Sequence, residues 1–336
     1  GVYAYGLTED PVGDLPGGTP YLAMEHVEDA SLAAHVGKLG WLDKVVSGEP
    51  VLTHEIRRLT DAVAARYAGT RADVLRLAVP PRHATVEKRP APPLEPLDPQ
   101  PVDTAAWAAY QGGAQFVAAL QEGRAARAVW QALPGESWPQ RLAEIAAATV
   151  ATGRGVLAVV PDQRDIDQLH AAATALIPDT RVVALSAGLG PAERYRRWLR
   201  ALRGQARLVI GTRSAAFAPV SDLGLVLVWD DGDASLAEPR APYPHSREVA
   251  MLRAHQLRCA AVIGGYARTA EAHALVRSGW AHDLTAARRA VRAHAPRVVA
   301  LEDSAYAQER DPAAHPAYVW RGDVLVAARA FAPLPP

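Results

Sequence analysis

The stretch GRGVLAVVP, residues 153–161, decides the fold class of this chain. Its residues 156–160 form a continuous apolar run, which is typical of a strand buried on both faces of a parallel sheet. Two glycines separate this run from an alanine-rich segment, Trp138 to Thr152, whose apolar residues recur at helical spacing. Pro161 ends the run, since proline cannot continue a central strand. The stretch therefore predicts a helix followed by a buried strand of an α/β fold.

The same alternation of helices and buried strands continues along the chain. Further strands are predicted at residues 181–185, 207–210, 223–228, 260–263 and 297–301. Further helices are predicted at residues 107–120, 165–176, 191–202, 246–256 and 270–278. Strands that alternate with helices of this length form right-handed βαβ units. The sequence therefore predicts an α/β fold with a doubly wound parallel sheet.

A small N-terminal region is predicted before this sheet. Thr53 is predicted as the N-cap of a helix whose apolar residues recur at helical spacing, namely Ile56, Leu59, Val63 and Tyr67. Residues 90–101 carry proline at close intervals and few core-forming residues, which is typical of an extended linker. A domain boundary is therefore predicted there, with residues 35–89 on one side and residues 102–336 on the other.

Composition narrows the functional classes only in part. Lysine plus arginine and aspartate plus glutamate both total 36 residues, so the overall charge says nothing about a nucleic-acid partner. The single cysteine, Cys259, excludes a disulfide framework, and with it a cysteine-rich zinc site. No run approaches the ~20 apolar residues of a membrane span, and no leader segment opens the chain. The sequence therefore predicts a soluble, cytoplasmic protein without zinc and without a membrane partner.

The stretch LRGQARLVIGTRSA, residues 202–215, is the most specific motif in the chain. It is followed at residues 223–228 by the strand LGLVLV. Together with residues 39–47 and 67–81, these motifs resemble the primosomal protein N′ (PriA) family of DNA helicases. The resemblance covers about residues 35–310 and is strongest to the actinobacterial form, whose helicase motifs are eroded.

This resemblance implies both a fold and a function. It implies a RecA-like sheet, a degenerate form of the P-loop NTPase fold, for residues 102–336. It also implies that residues 35–89 are a remnant of the family's N-terminal DNA-binding domain. The expected partners are DNA, as stalled forks or D-loops, and other primosome and helicase-loading proteins, at the nucleoid.

The chain departs from the family at the phosphate-binding loop, where it reads ALPGESW at residues 132–138. Such a loop needs a glycine-rich turn and a lysine that reaches the β- and γ-phosphates. Gly135 and Ser137 keep part of the turn, but Glu136 adds a carboxylate and no lysine follows. Like charge weakens the binding of a polyphosphate. Gly135, Glu136 and Ser137 are therefore predicted to form a degenerate nucleotide site.

A second departure lies at the family's D-E-E-H box, where this chain reads Trp229, Asp230, Asp231 and Gly232. An indole cannot bind Mg²⁺, which prefers oxygen ligands. Asp230 or Asp231 is an alternative ligand after a one-residue shift, although strand alternation turns the shifted carboxylate to the other face. No catalytic residue and no metal site are predicted, and ATP with Mg²⁺ stays an open alternative.

The DNA-binding candidates lie between residues 181 and 213. Arg196, Arg200 and Arg203 share one face of the predicted helix 191–202 and its end, which favours phosphate contact. Thr212 and Arg213 form the turn that lies beside the DNA track in the family. The alternatives are a solvated basic helix face and, for Arg213, a structural ion pair.

Residues 1–34 have a different character. The segment TPYLAMEHV, residues 19–27, resembles the strand and hinge of a protein kinase. The glycine-rich loop, strand lysine, catalytic loop and D-F-G motif of that family are all missing from the sequence. We interpret residues 1–34 as a stray fused segment without phosphotransfer activity.

Three hypotheses for function follow from these residues. The first is a DNA-binding replication-restart protein that assembles primosomes without helicase or ATPase activity. The second is a weakly active ATP-dependent 3′–5′ DNA helicase or ATPase, with Ser137 on Mg²⁺ and Asp230 or Asp231 as the base. The third is an inactive fusion fragment.

Overall fold

The computed structural model describes residues 49–90, 100–186 and 188–296 with their side chains. It also describes the backbone of four strands: β1 (Val2–Leu7), β2 (Pro20–Met24), β10 (Tyr318–Arg321) and β11 (Val324–Ala327). β1 pairs with β2 and β10 pairs with β11, both antiparallel. Outside β2, the kinase-like segment lies outside the described residues, as do residues 91–99 of the predicted linker and the predicted strand at 297–301.

The described chain alternates helices with strands. The helices are α1 (His54–Arg66), α2 (Arg71–Ala78), α3 (Ala84–Glu87), α4 (Gly113–Gln121), α5 (Trp138–Ala151), α6 (Gln163–Thr174), α7 (Pro191–Leu202), α8 (Ser246–Leu257), α9 (Ala270–Arg277) and α10 (Arg288–His294). The strands are β3 (Arg127–Gln131), β4 (Gly155–Val159), β5 (Val182–Leu185), β6 (Leu208–Gly211), β7 (Leu223–Trp229), β8 (Ala260–Gly265) and β9 (His282–Leu284). Within the described residues, no helix has the length and apolar character that crossing a membrane requires.

Strands β3 to β9 form one parallel sheet in the order β5-β6-β4-β7-β8-β3-β9. Strands β4 and β7 are buried along their whole length because helices cover both faces. One hydrophobic core lies under α4, α5 and α6, and a second lies under α1, α2 and α8. A smaller cluster lies between α3 and α7. The predicted fold class, an α/β fold with a doubly wound parallel sheet, is confirmed.

The N-terminal helices pack directly on the sheet unit. The predicted N-cap of α1 is confirmed, since Thr53 Oγ1 accepts a hydrogen bond of 3.2 Å from the Ile56 N–H. Ile56 belongs to the same hydrophobic core as strands of the sheet. On α8, the fully buried Arg253 reaches α1 and forms an ion pair of 2.6 Å with Glu55. The division of the chain at residues 90–101 stays a prediction.

The helix predicted over residues 107–120 is wrong in its first part. A short 3-10 helix spans Ala105–Ala109, and α4 begins only at Gly113. Gly112 lies between them with a left-handed φ of +72°, which interrupts the helix. Gly113 is required as well, because a Cβ there would lie 2.0 Å from the carbonyl oxygen of Trp107.

Candidate nucleotide site and candidate nucleic-acid surface

The degenerate phosphate loop connects β3 to α5 at the carboxyl edge of the sheet. Gly135 has a φ of +75° and is exposed, so the turn depends on a residue that tolerates the left-handed region. Ser137 is the N-cap of α5, but its side chain makes no capping hydrogen bond. Pro139 stands in the first turn of α5, where a missing N–H costs nothing. The loop thus keeps the strand–turn–helix path of a phosphate loop.

The Glu136 side chain turns back into this loop. Its Oε2 atom accepts hydrogen bonds from the Leu133 N–H, at 3.3 Å, and from the hydroxyl of Tyr110. Its Oε1 atom lies 3.5 Å from Nε of Arg141. The amide of the loop therefore donates to a carboxylate of the loop itself.

A second buried carboxylate lies behind Glu136. Glu144 on α5 is 5% exposed and pairs with Nη2 of Arg141 at 2.8 Å. Burial raises the pKa of Glu144 to about 7, because the Arg141 charge only partly offsets the burial and the charges of Asp103 and Glu136 add to it. One arginine thus faces two carboxylates, and this charge balance opposes a polyphosphate.

An aromatic stack occupies the space between the phosphate loop and the end of β7. Trp138 and Trp229 stack with ring centroids 4.6 Å apart and ring planes within 10°. Trp130 and Tyr266 pack on Trp229 at 5.6 Å and 5.4 Å, and the Tyr266 hydroxyl donates a 2.5 Å hydrogen bond to the Glu136 carbonyl oxygen. Both stacked indoles are buried. Buried rings therefore fill the space beside the phosphate loop, and β7 ends in an indole, which cannot bind Mg²⁺.

The two aspartates that follow Trp229 differ in their surroundings. Asp231 is 3% exposed, and its Oδ2 atom accepts hydrogen bonds from Nη1 of Arg247, at 2.8 Å, and from Oγ1 of Thr269, at 2.7 Å. Asp230 is exposed, with a left-handed φ of +51°. Gly232 follows in the same turn, and a Cβ there would lie 3.0 Å from the Thr269 methyl group. Asp231 therefore serves a structural ion pair, and only Asp230 faces solvent.

The edge around Asp230 is strongly acidic. Desolvation, followed by the charges of Asp162, Asp230 and Asp233, raises the pKa of Asp165 to about 6. The pKa of Asp230 is raised by desolvation and by Asp233 and Asp231. Across the part of the chain that the structure describes, no three histidine, cysteine, aspartate or glutamate side chains are arranged to hold a metal ion. The negative charge at this edge is unfavourable for phosphate.

The predicted DNA-binding arginines all have partners within the chain. Arg196 pairs with Glu193, and Arg200 donates a 2.6 Å hydrogen bond to the Thr180 carbonyl oxygen. Arg203 pairs with Glu49 at 2.7 Å. These contacts are compatible with DNA binding at the surface, but they leave only some N–H groups of each guanidinium available for a phosphate. A DNA contact of Arg196, Arg200 or Arg203 stays a prediction.

The turn at Thr212 and Arg213 lies at the carboxyl end of β6. Arg213 pairs with Glu238 at 3.0 Å and donates a 3.2 Å hydrogen bond to the Ser235 carbonyl oxygen. This is the geometry of the structural alternative that the sequence left open for Arg213. Thr212 is the half-buried residue that precedes a 3-10 helix, Arg213–Phe217. Its contact with DNA stays a prediction.

A cavity of about 100 Å³ opens beside this turn, between α2 and α7. It is lined by Arg76, Leu77, Ala78, Pro80, Pro81, Leu185, Ser186, Arg194, Trp198, Ser214, Ala215 and Ala218. Among the described residues, the side chain of Arg194 makes no ion pair, and the Ser186 and Ser214 hydroxyls make no hydrogen bond. Two guanidinium groups and two hydroxyls in one cavity suit an anion such as a phosphate.

Sequence reasoning missed this cavity as a site. Arg194 was visible in the basic run, and Ser186 directly follows the predicted strand at 181–185. Arg76 comes from α2 and also donates a 2.8 Å hydrogen bond to the Ala241 carbonyl oxygen. The missing information was that α2 packs against the 3-10 helix Arg213–Phe217, which follows β6.

Curated relatives of the chain carry one name. The chain is 71% identical over 300 residues to the "Probable replication restart protein PriA" of Mycobacterium tuberculosis strain CDC 1551, which covers 88% of the chain and 46% of that protein. It is 69% identical over 287 residues to the protein of the same name from Mycobacterium leprae, covering 84% of the chain and 44% of the relative. The chain thus spans about half the length of the curated relatives that it matches.

More distant comparisons add less. The "Replication restart protein PriA" of Bacillus subtilis is 34% identical over 100 residues, which is 30% of the chain and 12% of that protein. Among solved structures, the helicase domain of Pyrococcus furiosus Hef aligns over 55% of the chain and 40% of its own length, at 18% identity and a TM-score of 0.39. That likeness is too low to support an argument. No protein-family model matches the chain.

Proposed function

Because the chain is related over most of its length to the replication restart protein PriA, we propose that it binds DNA in replication restart without turning over nucleotide. The proposed absence of nucleotide turnover rests on one observation, which is that the candidate nucleotide site is filled by side chains of the chain itself. Trp138 stacks on Trp229, and the Glu136 carboxylate occupies the phosphate loop. Phosphoryl transfer depends on positioned cations and metal ligands. Here Arg141 already pairs with Glu136 and Glu144, and Asp231 already pairs with Arg247.

DNA is proposed as the partner from two sources. The first is the name of the relatives, which refers to replication restart. The second is the cavity between α2 and α7, where Arg194 has no ion pair among the described residues. The same proposal includes stalled forks and D-loops as the DNA structures that are bound, and primosome and helicase-loading proteins as further partners. It also includes a cytoplasmic, nucleoid-associated location.

The DNA half is tested by binding of forked DNA, measured by fluorescence anisotropy at several salt concentrations. Arg194→Gln should weaken binding roughly tenfold and reduce the salt dependence by the equivalent of about one phosphate contact. Arg289→Gln is the matched control, because Arg289 is exposed on α10, away from the cavity residues. Equal losses of DNA affinity in both variants would show that any arginine contributes through its charge and that the cavity is not a specific DNA contact. Wild-type affinity no higher than for non-specific duplex at physiological salt would favour the inactive fragment.

The nucleotide half is tested by calorimetry and by ATP turnover in the presence of forked DNA. We expect no saturable binding of ATP with Mg²⁺ and no turnover above background. The alternative, a weakly active ATPase, draws on the exposed Asp230. Micromolar ATP affinity, together with turnover that Asp230→Ala abolishes, would establish that alternative and contradict the proposal.

A further inference from the structure

The phosphate loop is surrounded by hydrogen-bond donors that converge on one anion. The Leu133 N–H donates to Oε2 of Glu136 at 3.3 Å and to the Tyr110 hydroxyl oxygen at 3.1 Å. The Tyr110 hydroxyl itself donates to the same carboxylate oxygen. These donors come from the loop and from the segment before α4, so two separate parts of the chain meet at the carboxylate.

The third donor is a buried arginine with unused N–H groups. Arg141 is 8% exposed, and its Nε and Nη1 atoms are buried without a hydrogen-bond partner. Its Nε atom lies 3.5 Å from Oε1 of Glu136, while its Nη2 atom is held by Glu144. A buried guanidinium with unpaired N–H groups is unfavourable unless an anion lies close to it. The surroundings of the loop therefore require an anion at the position of the Glu136 carboxylate.

We propose that residues 132–137 form an oxoanion site whose occupant is the chain's own Glu136 carboxylate. The loop excludes phosphate because the site is filled, and not only because a lysine is missing. Once the carboxylate is removed, a small oxoanion such as acetate or inorganic phosphate binds in its place, between Leu133 and Arg141. This inference rests on the proposed function, since it supplies a reason why the site takes no nucleotide.

The charges around the loop make a second anion unfavourable while Glu136 is present. The charges of Asp103 and Glu136 already act on Glu144, and together with burial they raise the pKa of Glu144 to about 7. Arg141 is the cation paired with both Glu136 and Glu144. Loss of the Glu136 charge leaves Arg141 with one carboxylate partner, and an external anion then restores the original balance.

Chemical rescue of Glu136→Ala tests the inference. Thermal unfolding is followed in acetate, inorganic phosphate, pyrophosphate and chloride at equal ionic strength. We expect Glu136→Ala to unfold at a lower temperature than the wild type. Saturating acetate or phosphate should raise its midpoint by about 2–4 °C relative to chloride. The wild type and Glu136→Gln, whose amide still fills the site, should show no such rise.

Glu122→Ala is the matched control, since Glu122 is exposed and pairs with Arg124 on the surface. It reports any general effect of these anions on the many arginines of the chain. An anion response of Glu136→Ala no larger than that of Glu122→Ala overturns the inference.

A measurement on the wild type decides the matter even if Glu136→Ala does not fold. Calorimetry with pyrophosphate alone should show no saturable binding at this loop at millimolar concentrations, because the site is occupied. Binding at the cavity between α2 and α7 is identified separately by its loss in Arg194→Gln. A dissociation constant below about 1 mM for pyrophosphate at this loop, lost in Leu133→Pro, which lacks the N–H, overturns the inference. Binding of ATP with Mg²⁺ to the wild type would contradict the proposed function as well, whereas failure of rescue alone contradicts only this inference.

Discussion

Replacing Asp231 by asparagine should destabilise the fold by about 2–3 kcal/mol, because the change breaks a buried ion pair. Asp231 is 3% exposed and accepts hydrogen bonds from Arg247, at 2.8 Å, and from Thr269, at 2.7 Å. Removing one partner of a buried ion pair costs about 3–5 kcal/mol. Asparagine keeps one acceptor oxygen, and Glu248 lies 3.5 Å from Nε of Arg247, so the expected cost is at or just below the lower end of that range.

Asp230→Asn is the control for this prediction. Asp230 is the neighbouring residue, but it is exposed, so its substitution should change the free energy of unfolding by no more than about 0.5 kcal/mol. Urea unfolding followed by circular dichroism measures both variants, and equal slopes with denaturant establish that only stability has changed. If Asp231→Asn lies within 1 kcal/mol of Asp230→Asn, the buried pair is not structural. Asp231 would then regain its place as a candidate catalytic base.

Three further predictions concern the stack, the buried carboxylate and a surface pair. Trp138→Ala should lower the free energy of unfolding in urea by about 3–5 kcal/mol, and Trp138→Phe should lower it less, because Trp138 is buried against Trp229. Equal losses in the two variants would contradict the stacked geometry. The pKa of Glu144 is raised from its ordinary 4.5 to about 7. Between these two pH values the folded chain binds more protons than the unfolded chain, so the free energy of unfolding falls as the pH rises from 4.5 to 7. Glu144→Gln should reduce that fall, by up to about 3 kcal/mol, in unfolding measured at pH 5 and pH 8; an unchanged pH profile would refute it. Arg203→Gln should cost less than about 1 kcal/mol, since Glu49 is partly exposed, and a larger loss would assign Arg203 a purely structural role.

The sheet was largely predictable because most of its strands are buried on both faces. Strands such as β4 and β7 read as short continuous apolar runs, and their length distinguishes them from buried helices. The five-residue β3 was missed because arginine and glutamine flank its apolar centre, and β9 because it has three residues, two of them exposed. Both strands lie at the edge of the sheet that carries the phosphate loop. The strands that were hardest to predict therefore lie beside the phosphate loop.

The absence of a lysine and an aspartate from the candidate nucleotide site could be predicted from the sequence, whereas the contacts of the residues that stand in their place could not. A missing lysine and an indole in place of an aspartate are visible in the sequence. The stacking of Trp138 on Trp229 depends on the sheet order, since β8 is the strand that separates β3 from β7. The partners of Arg203 and Arg213, Glu49 and Glu238, lie far away in the sequence and could not be assigned from a helical face.

The order of the strands explains how the nucleotide site can close while another part of the same edge stays open. The phosphate loop and the Trp229 turn follow β3 and β7, on one side of the sheet, whereas the cavity with Arg194 lies at the ends of β5 and β6, on the other side. Each loop of a doubly wound sheet is attached to its own strand, so residues in one loop can change while the strands and the other loops keep their positions. The aromatic stack adds buried apolar area to the first side, which stabilises the sheet. The proposed loss of nucleotide chemistry is therefore compatible with the proposed DNA contact at the cavity, and the two properties can be tested by separate substitutions.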